Sequence, residues 1–191
     1  MKKAAQSVIL EDAFYTIAAP NGRVLEVANY NPENGAAIQL WDYAGEEWQQ
    51  WSFVAVGTDT YLLKNRFTGK VMDLALRGSA PGTLLHQWNT TGHKSQQWTL
   101  EPAVRGTRIR SAMAGKCIDL AEMSTANGAR AQIWSDVEGG NQEWLIRRVQ
   151  AWKRTAGTET ATAARKSRQS KTEPNLVTKL NKTAAAARKK R

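Results

Sequence analysis

Apolar and polar residues alternate along most of this chain in short runs separated by turn residues, the period of a half-buried β-strand. Tyr15-Thr16-Ile17-Ala18-Ala19 is one such run, Pro20-Asn21-Gly22 follows as a turn, and Val24-Leu25-Glu26-Val27 is the next run. The Asn-Gly pair favours a tight hairpin, because both residues tolerate a positive φ. The same hairpin is written twice more: Thr68-Gly69 precedes Val71-Met72-Asp73-Leu74, and Ala114-Gly115 precedes Cys117-Ile118-Asp119-Leu120. A second turn at Asn34-Gly35, Pro81-Gly82 and Asn127-Gly128 leads into Ala37-Ile38-Gln39-Leu40-Trp41, Leu84-Leu85-His86-Gln87-Trp88 and Arg130-Ala131-Gln132-Ile133-Trp134. Helical periodicity never outlasts a turn or two before residue 151.

These features keep register with one another. The two glycine turns, the acids Glu26, Asp73 and Asp119, the tryptophans Trp41, Trp88 and Trp134, and the pairs Gln49-x-Trp51, Gln96-x-Trp98 and Gln142-x-Trp144 recur at offsets of 47 and then 46 residues. A unit of that size cannot bury its own apolar face, so three copies must share one core. About four strands per unit gives roughly twelve in all, and closing them into a pseudo-threefold structure removes exposed sheet edges. The expected fold is all-β, a β-trefoil over residues 13–150, with Trp51, Trp98 and Trp144 converging in the core as large apolar anchors.

Charge divides the chain differently. Of its 191 residues, 27 are Lys or Arg and 17 are Asp or Glu, a formal net charge of +10. Residues 1–150 hold 15 of each sign; residues 151–191 hold 12 cations against two acids, and 12 − 2 accounts for the whole excess. The expected organisation is a short extension over 1–12, the repeated domain, and a Lys/Arg/Ala/Thr-rich tail from 151. A domain of about 150 residues buries roughly two thirds of its unfolded surface, so it needs no covalent staple. The single cysteine, Cys117, forms no internal bridge. Met1-Lys2-Lys3 begins like a secretion signal, but Glu11 and Asp12 end the apolar run Val8-Ile9-Leu10 too early for one. No stretch approaches the ~20 apolar residues of a spanning helix. The chain as given reads as cytoplasmic, and as secreted if it was excised from a longer protein.

Three Gln-x-Trp pairs in register, each with an aliphatic-acid-aliphatic triplet upstream, resemble the ricin-type β-trefoil lectins and carbohydrate-binding modules. The resemblance covers roughly residues 13–148 and omits the tail. It implies non-catalytic sugar binding, with the triplet acid accepting from two neighbouring hydroxyls and the middle tryptophan stacking on the apolar face of a pyranose. It also implies rim hydrogen bonds from the amide two before that tryptophan and from the Asn-Gln pair. The third repeat matches throughout, with Asp119, Gln132, Trp134, Asn141 and Gln142. In the second, Asp73, Trp88 and Gln96 are kept, while His86 replaces the amide and Ser95 the asparagine. The first has Gln39, Trp41 and Gln49, but a longer acid, Glu26, and Trp48 in the asparagine position. The family often bridges the start of the triplet to a cysteine after the middle tryptophan; here Cys117 occupies the first position but Asp136 stands where its partner would be, and repeats one and two have neither, which implies a branch without that disulfide.

Read without the resemblance, the acids could equally cap a turn, the middle tryptophans could be half-buried packing residues, and the Gln-x-Trp glutamines could serve the adjacent loop backbone alone. An enzyme is not expected. The carboxylates repeat by symmetry rather than standing as an unlike pair, and Cys117 with His86 and His93 makes a nucleophile-base pair in arithmetic only. Neither a phosphate loop nor zinc-ligand spacing occurs, and no cofactor is expected.

The tail composition predicts disorder in isolation, with a short helix from about Pro174 to Lys190 as the exception. Lys153, Arg154, Arg165, Lys166, Arg168, Lys171, Lys179, Lys182, Arg188, Lys189, Lys190 and Arg191 form a candidate site for a polyanion. Such contacts weaken steeply with salt. Nucleic acid, an acidic polysaccharide or an anionic membrane surface would satisfy the same charges, and a solvated extension is the plainer alternative. The expected partners are therefore a polysaccharide or clustered glycan for a monomeric trefoil and a polyanion for the tail. The competing reading is a β-trefoil adaptor that binds protein or nucleic acid, such as a ribosome-like RNA-rich assembly, mainly through the basic tail, with degenerate sugar sites; a third is a module of a larger glycosidase or toxin.

Overall fold

The computed structural model describes Ile9 and residues 12–150. The expected tail helix, the polyanion site and most of the N-terminal extension lie outside the described residues. Each repeat contributes four strands. The first contains β1 (Tyr15–Ala18), β2 (Val24–Val27), β3 (Ile38–Trp41) and β4 (Trp51–Gly57), and the second β5 (Thr60–Asn65), β6 (Val71–Leu74), β7 (Leu85–Trp88) and β8 (Trp98–Pro102). The third contains β9 (Thr107–Ser111), β10 (Cys117–Leu120), β11 (Ala131–Trp134) and β12 (Leu145–Arg148). Short 3-10 turns are the only helical elements among the described residues.

The outer strands of the three repeats make a six-stranded barrel. β1 pairs with β4, β4 with β5, β5 with β8, β8 with β9, and β12 with β1, all antiparallel. Reciprocal Thr107–Trp144 backbone bonds of 2.8 and 2.9 Å join β9 to the start of β12 and close the ring. The inner strands form three hairpins, β2–β3, β6–β7 and β10–β11. Bridges Ala37–His86, Leu84–Gln132 and Gln39–Arg130 tie each hairpin to the next, so together they cap one end of the barrel. This is the β-trefoil expected from the repeat.

Trp51, Trp98 and Trp144 are wholly buried, in a core shared with Leu25, Ile38, Met72, Leu85, Ile118 and Ile133. A buried indole N–H needs an acceptor. Each donates to a carbonyl 26 residues upstream: Leu25 O at 2.9 Å, Met72 O at 3.2 Å and Ile118 O at 3.1 Å. Those acceptors immediately precede Glu26, Asp73 and Asp119. The core tryptophan of each repeat thus fixes the backbone that carries the repeat's acid.

Candidate functional site

Strand register brings the sequence-selected residues together. Glu26 lies opposite Gln39, Asp73 opposite His86 and Asp119 opposite Gln132. Residues two apart on a strand share a face, which puts Trp41, Trp88 and Trp134 on the same face as those partners.

In the third repeat the carboxylate is held from three sides. Gln132 Nε2 donates to Asp119 Oδ1 at 3.1 Å, while Asn141 Nδ2 and Gln142 Nε2 donate to Oδ2 at 2.7 and 2.9 Å. In the first, Gln39 Nε2 donates to Glu26 Oε1 and Gln49 Nε2 to Oε2, each at 2.9 Å. The extra methylene of Glu26 therefore leaves its amide partners in reach. Trp48, in the asparagine position, instead packs edge-on against Tyr30 at 4.1 Å and Phe67 at 6.2 Å.

The second repeat differs. Gln96 Nε2 donates to Asp73 Oδ2 at 2.9 Å, but Oδ1 is buried and accepts from no group among the described residues. Ser95, where the third repeat has Asn141, is engaged by His93 Nδ1 at 3.0 Å. His86 Nε2 stands 4.0 Å from Asp73 Oδ2, too far for a hydrogen bond, and its ring stacks on Trp88 with centroids 5.3 Å apart and planes 28° apart. Burial pulls the His86 imidazole below its ordinary value, and the Asp73 carboxylate offsets only part of that lowering.

The Gln-x-Trp glutamines stand elsewhere than the resemblance implied. Gln49, Gln96 and Gln142 are at most 1% exposed. Besides holding the acid, their Nε2 groups donate to the carbonyls of Asp42, Asn89 and Ser135 at 2.9 Å. Their Oε1 atoms accept from the backbone of Ala44, Thr91 and Val137. They lie behind the carboxylate and position it; a rim residue would face solvent.

The middle tryptophans are 42%, 38% and 41% exposed, so each has an open part. The other part packs on the neighbouring repeat. A Cβ placed on Gly35, Gly82 or Gly128 would stand 3.8, 3.6 or 3.9 Å from the indole edge of Trp88, Trp134 or Trp41. The same glycines have φ of +86° to +87° and donate 2.8 Å bonds to Gln87, Ile133 and Leu40, the residues just before those indoles. Platform and packing are two sides of one ring.

One feature escaped the sequence. One alanine beyond each acidic triplet the backbone turns left-handed for two consecutive residues: Asn29-Tyr30, Leu76-Arg77 and Glu122-Met123, all with φ between 54° and 59°. None is glycine, and such conformations persist mainly where surrounding structure holds them, often at ligand clamps. Asn29 is the one member of its class that prefers this region, so composition offered almost no signal.

Where the family's second cysteine would stand, Asp136 pairs with Arg108 Nε at 3.3 Å and Arg110 Nη2 at 2.9 Å. The Glu138 backbone N–H, with help from both arginines, holds the Asp136 carboxyl below its usual range. Glu101 binds Arg110 through two further bonds of 2.8 and 2.9 Å and raises the guanidinium's proton affinity. Cys117 beneath is buried and free, its thiol pushed up to about 11 by burial.

A separate cleft of about 310 Å³, lined by Thr16, Tyr43, Arg147 and Arg148 among others, contains none of the three acids. Among the described residues no group of three His, Cys, Asp or Glu could hold a metal, and no helix is long and apolar enough to cross a membrane.

The model of the ricin-type beta-trefoil lectin domain-like family matches residues 7–88, 47–134 and 94–155, three overlapping placements that follow the repeat. Curated proteins give no match. Among solved structures, the designed threefold-symmetric protein ThreeFoil is 29% identical, with a TM-score of 0.70 over 72% of this chain and 100% of that one. The exo-beta-1,3-galactanase 1,3Gal43A from Clostridium thermocellum is 32% identical, with a TM-score of 0.71 over 75% of this chain, which spans only 32% of that enzyme. The Rhizoctonia solani agglutinin shares the fold at 20% identity, with a TM-score of 0.67 over 75% of this chain and 99% of that one. By its repeats, its fold and this match across most of its length, the chain belongs to the ricin-type β-trefoil lectin domain-like family.

Proposed function

We propose that this protein binds carbohydrate without chemically altering it, through the carboxylate pockets of its repeats, and that the third is its best-formed pocket. The observation that carries this is the constellation around Asp119: a buried carboxylate fixed by Gln132, Asn141 and Gln142, on the same face as the part-exposed indole of Trp134. A fixed acceptor beside an aromatic platform suits a pyranose, which offers neighbouring hydroxyls on its rim and C–H groups on its face. Amides that already hold the carboxylate in place spare the ligand that ordering cost. The lectin fold and the likeness to a module-sized portion of a galactanase support the same class of ligand.

A monosaccharide of about a dozen heavy atoms, at ~0.3 kcal/mol each, binds at roughly millimolar strength. Polysaccharides and clustered glycans, which engage several pockets at once, are therefore the proposed physiological class. The tail cations, assigned on charge alone, would add salt-sensitive affinity for a polyanion.

A glycan and polysaccharide array at physiological salt tests the reading, with the full chain and Asp119→Ala side by side. Signal on defined glycans that falls in the variant is the expected result. Equal silence from both proteins would sink the sugar reading and turn attention to nucleic acid as the ligand.

A further inference from the structure

We propose that the first repeat binds a linear oligosaccharide, with one unit at Glu26 and Trp41 and the next on an aromatic platform formed by Tyr30, Trp48 and Phe67. The inference rests on the carbohydrate reading and deepens it, because it makes a second sugar ring part of what the first pocket recognises. Trp48 packs edge-on against Tyr30, with ring centroids 4.1 Å apart, and against Phe67 at 6.2 Å. Edge-on packing covers less of a ring's face than stacking does. Tyr30 and Phe67 are 60% and 44% exposed, so two large rings meet solvent beside a third. Single exposed apolar residues are ordinary on a protein surface, whereas a contiguous group of them marks a place of contact.

The fold itself does not ask for these rings. By the repeat offsets of 47 and 46 residues, the positions of Tyr30, Trp48 and Phe67 are held by Arg77, Ser95 and Met113 where the second repeat meets the third. Met123, Asn141 and Pro20 hold them where the third meets the first. The same strands and 3-10 turns form around all three sets. Tyr30 also sits at φ 55°, a region that disfavours a bulky side chain, and still turns its ring to solvent.

The platform adjoins the carboxylate. Trp48 immediately precedes Gln49, whose Nε2 holds Glu26 Oε2 at 2.9 Å. Its counterpart in the third repeat, Asn141, reaches Asp119 Oδ2 at 2.7 Å, which puts position 48 at the edge of the pocket. A pyranose seated at Glu26 thus has the aromatic group as its neighbour. The loops carrying Trp48 and Phe67 are braced without a ligand. Asn65 Nδ2 donates to Trp48 O at 3.0 Å, while Asn65 Oδ1 accepts from the Phe67 N–H at 3.1 Å. Arg66 Nη2 pairs with Glu47 at 3.1 Å across the same two loops. A surface held in this way loses little freedom on binding, and it suits the C–H face of a second ring.

The test follows the indole N–H signals of Trp41, Trp88 and Trp134 by NMR in the full chain. Xylose, galactose and N-acetylglucosamine are titrated beside the β-linked di- and trisaccharides of each. A sugar that moves Trp41 should do so about tenfold more tightly as the disaccharide than as the monosaccharide. Trp48 also packs on the core, so the variant of choice is Tyr30→Asn with Phe67→Ser, which removes the two exposed rings and leaves Trp48 in place. In that protein the tenfold ratio should fall to about one. Equal affinity of mono- and disaccharide at Trp41 in the wild type would overturn the platform. So would a gain from chain length kept by the double variant, the mark of a chain that bridges separate pockets. A monosaccharide that reaches Trp41 only in the double variant would overturn it as well, by showing that the rings cover the pocket. If sugars move Trp88 or Trp134 but never Trp41, the platform fails and the carbohydrate reading stands. If none moves any of the three indoles, both fail.

Discussion

Cys117 shows how one buried side chain acquires properties its sequence neighbours do not announce. Its thiol is sealed beneath the Arg108–Asp136–Arg110 cluster, and burial pushes its proton release up to about 11 despite the attraction of Arg110. The thiolate is the reactive form. Native Cys117 should therefore resist a chromogenic disulfide reagent at about pH 8 and react promptly once denaturant opens the core. The sign for stability follows from the raised value: the unfolded thiol ionises first, so this contribution is intact below about pH 9 and declines toward 11. Gln142 makes the complementary case for a polar group. Replacing it by alanine leaves Ser135 O and Val137 N–H without a partner and removes one donor from Asp119. Gln142→Ala should cost about 2 kcal/mol in urea denaturation. It should also weaken sugar binding at Trp134, although its side chain never meets solvent.

At the level of strands and turns, the left-handed kinks after β2, β6 and β10 store strain that one substitution can release. Leu76 sits at φ 54° with its side chain 99% exposed, so nothing it packs against offsets the backbone cost. Asn29 occupies the matching place in the first repeat at φ 57°. Leu76→Asn should raise stability by up to about 1 kcal/mol, read as a higher denaturation midpoint with an unchanged slope. Barrel closure makes the opposite kind of demand. A Cβ on Gly106 would meet Trp144 O at 2.5 Å, where β9 and β12 join through Thr107, whereas one on Gly140 would meet nothing within 4 Å. Gly106→Ala should destabilise by about 2 kcal/mol or more, and Gly140→Ala should stay within about 0.5 kcal/mol of the parent. These elements also mark how far the sequence could be read. The hairpins, the twelve strands and the core indoles were legible because glycine turns and alternating apolar positions recur in register. The kinks were not, because Leu76, Arg77, Glu122 and Met123 are residue types that rarely enter the left-handed region; the bonds that frame them run between backbone groups, Ala75 N–H to Leu84 O with Gly78 N–H to Ala75 O, and Ala121 N–H to Arg130 O with Ser124 N–H to Ala121 O. Gln96 and Gln142 were legible as loop-binding residues, but their place behind the carboxylates came from hydrogen-bond geometry that residue spacing does not fix.

Across the whole molecule, threefold repetition has produced three unequal pockets on one rigid ring. Each indole edge leans on the glycine turn of a neighbouring repeat, and each hairpin bridges to the next. Pocket spacing is thus set by the barrel, with no flexible linker between sites. A rigid array would gain little for a free monosaccharide, because each pocket that works would still bind it at about millimolar strength. For a polymer the second contact becomes intramolecular, and avidity rises by orders of magnitude without any new interaction. The two ligands should therefore respond differently to loss of one pocket. In Asp119→Ala, calorimetry with a monosaccharide that binds the parent should show fewer sites at unchanged affinity for those that remain. Retention on an immobilised polysaccharide of the same sugar should fall about 10- to 100-fold, because the remaining pockets lose their best-formed partner. Equal proportional losses for both ligands would mean that the pockets act singly. Complete loss of both would mean that Asp119 anchors the only working site, and that Glu26 and Asp73 persist for the hairpins they brace.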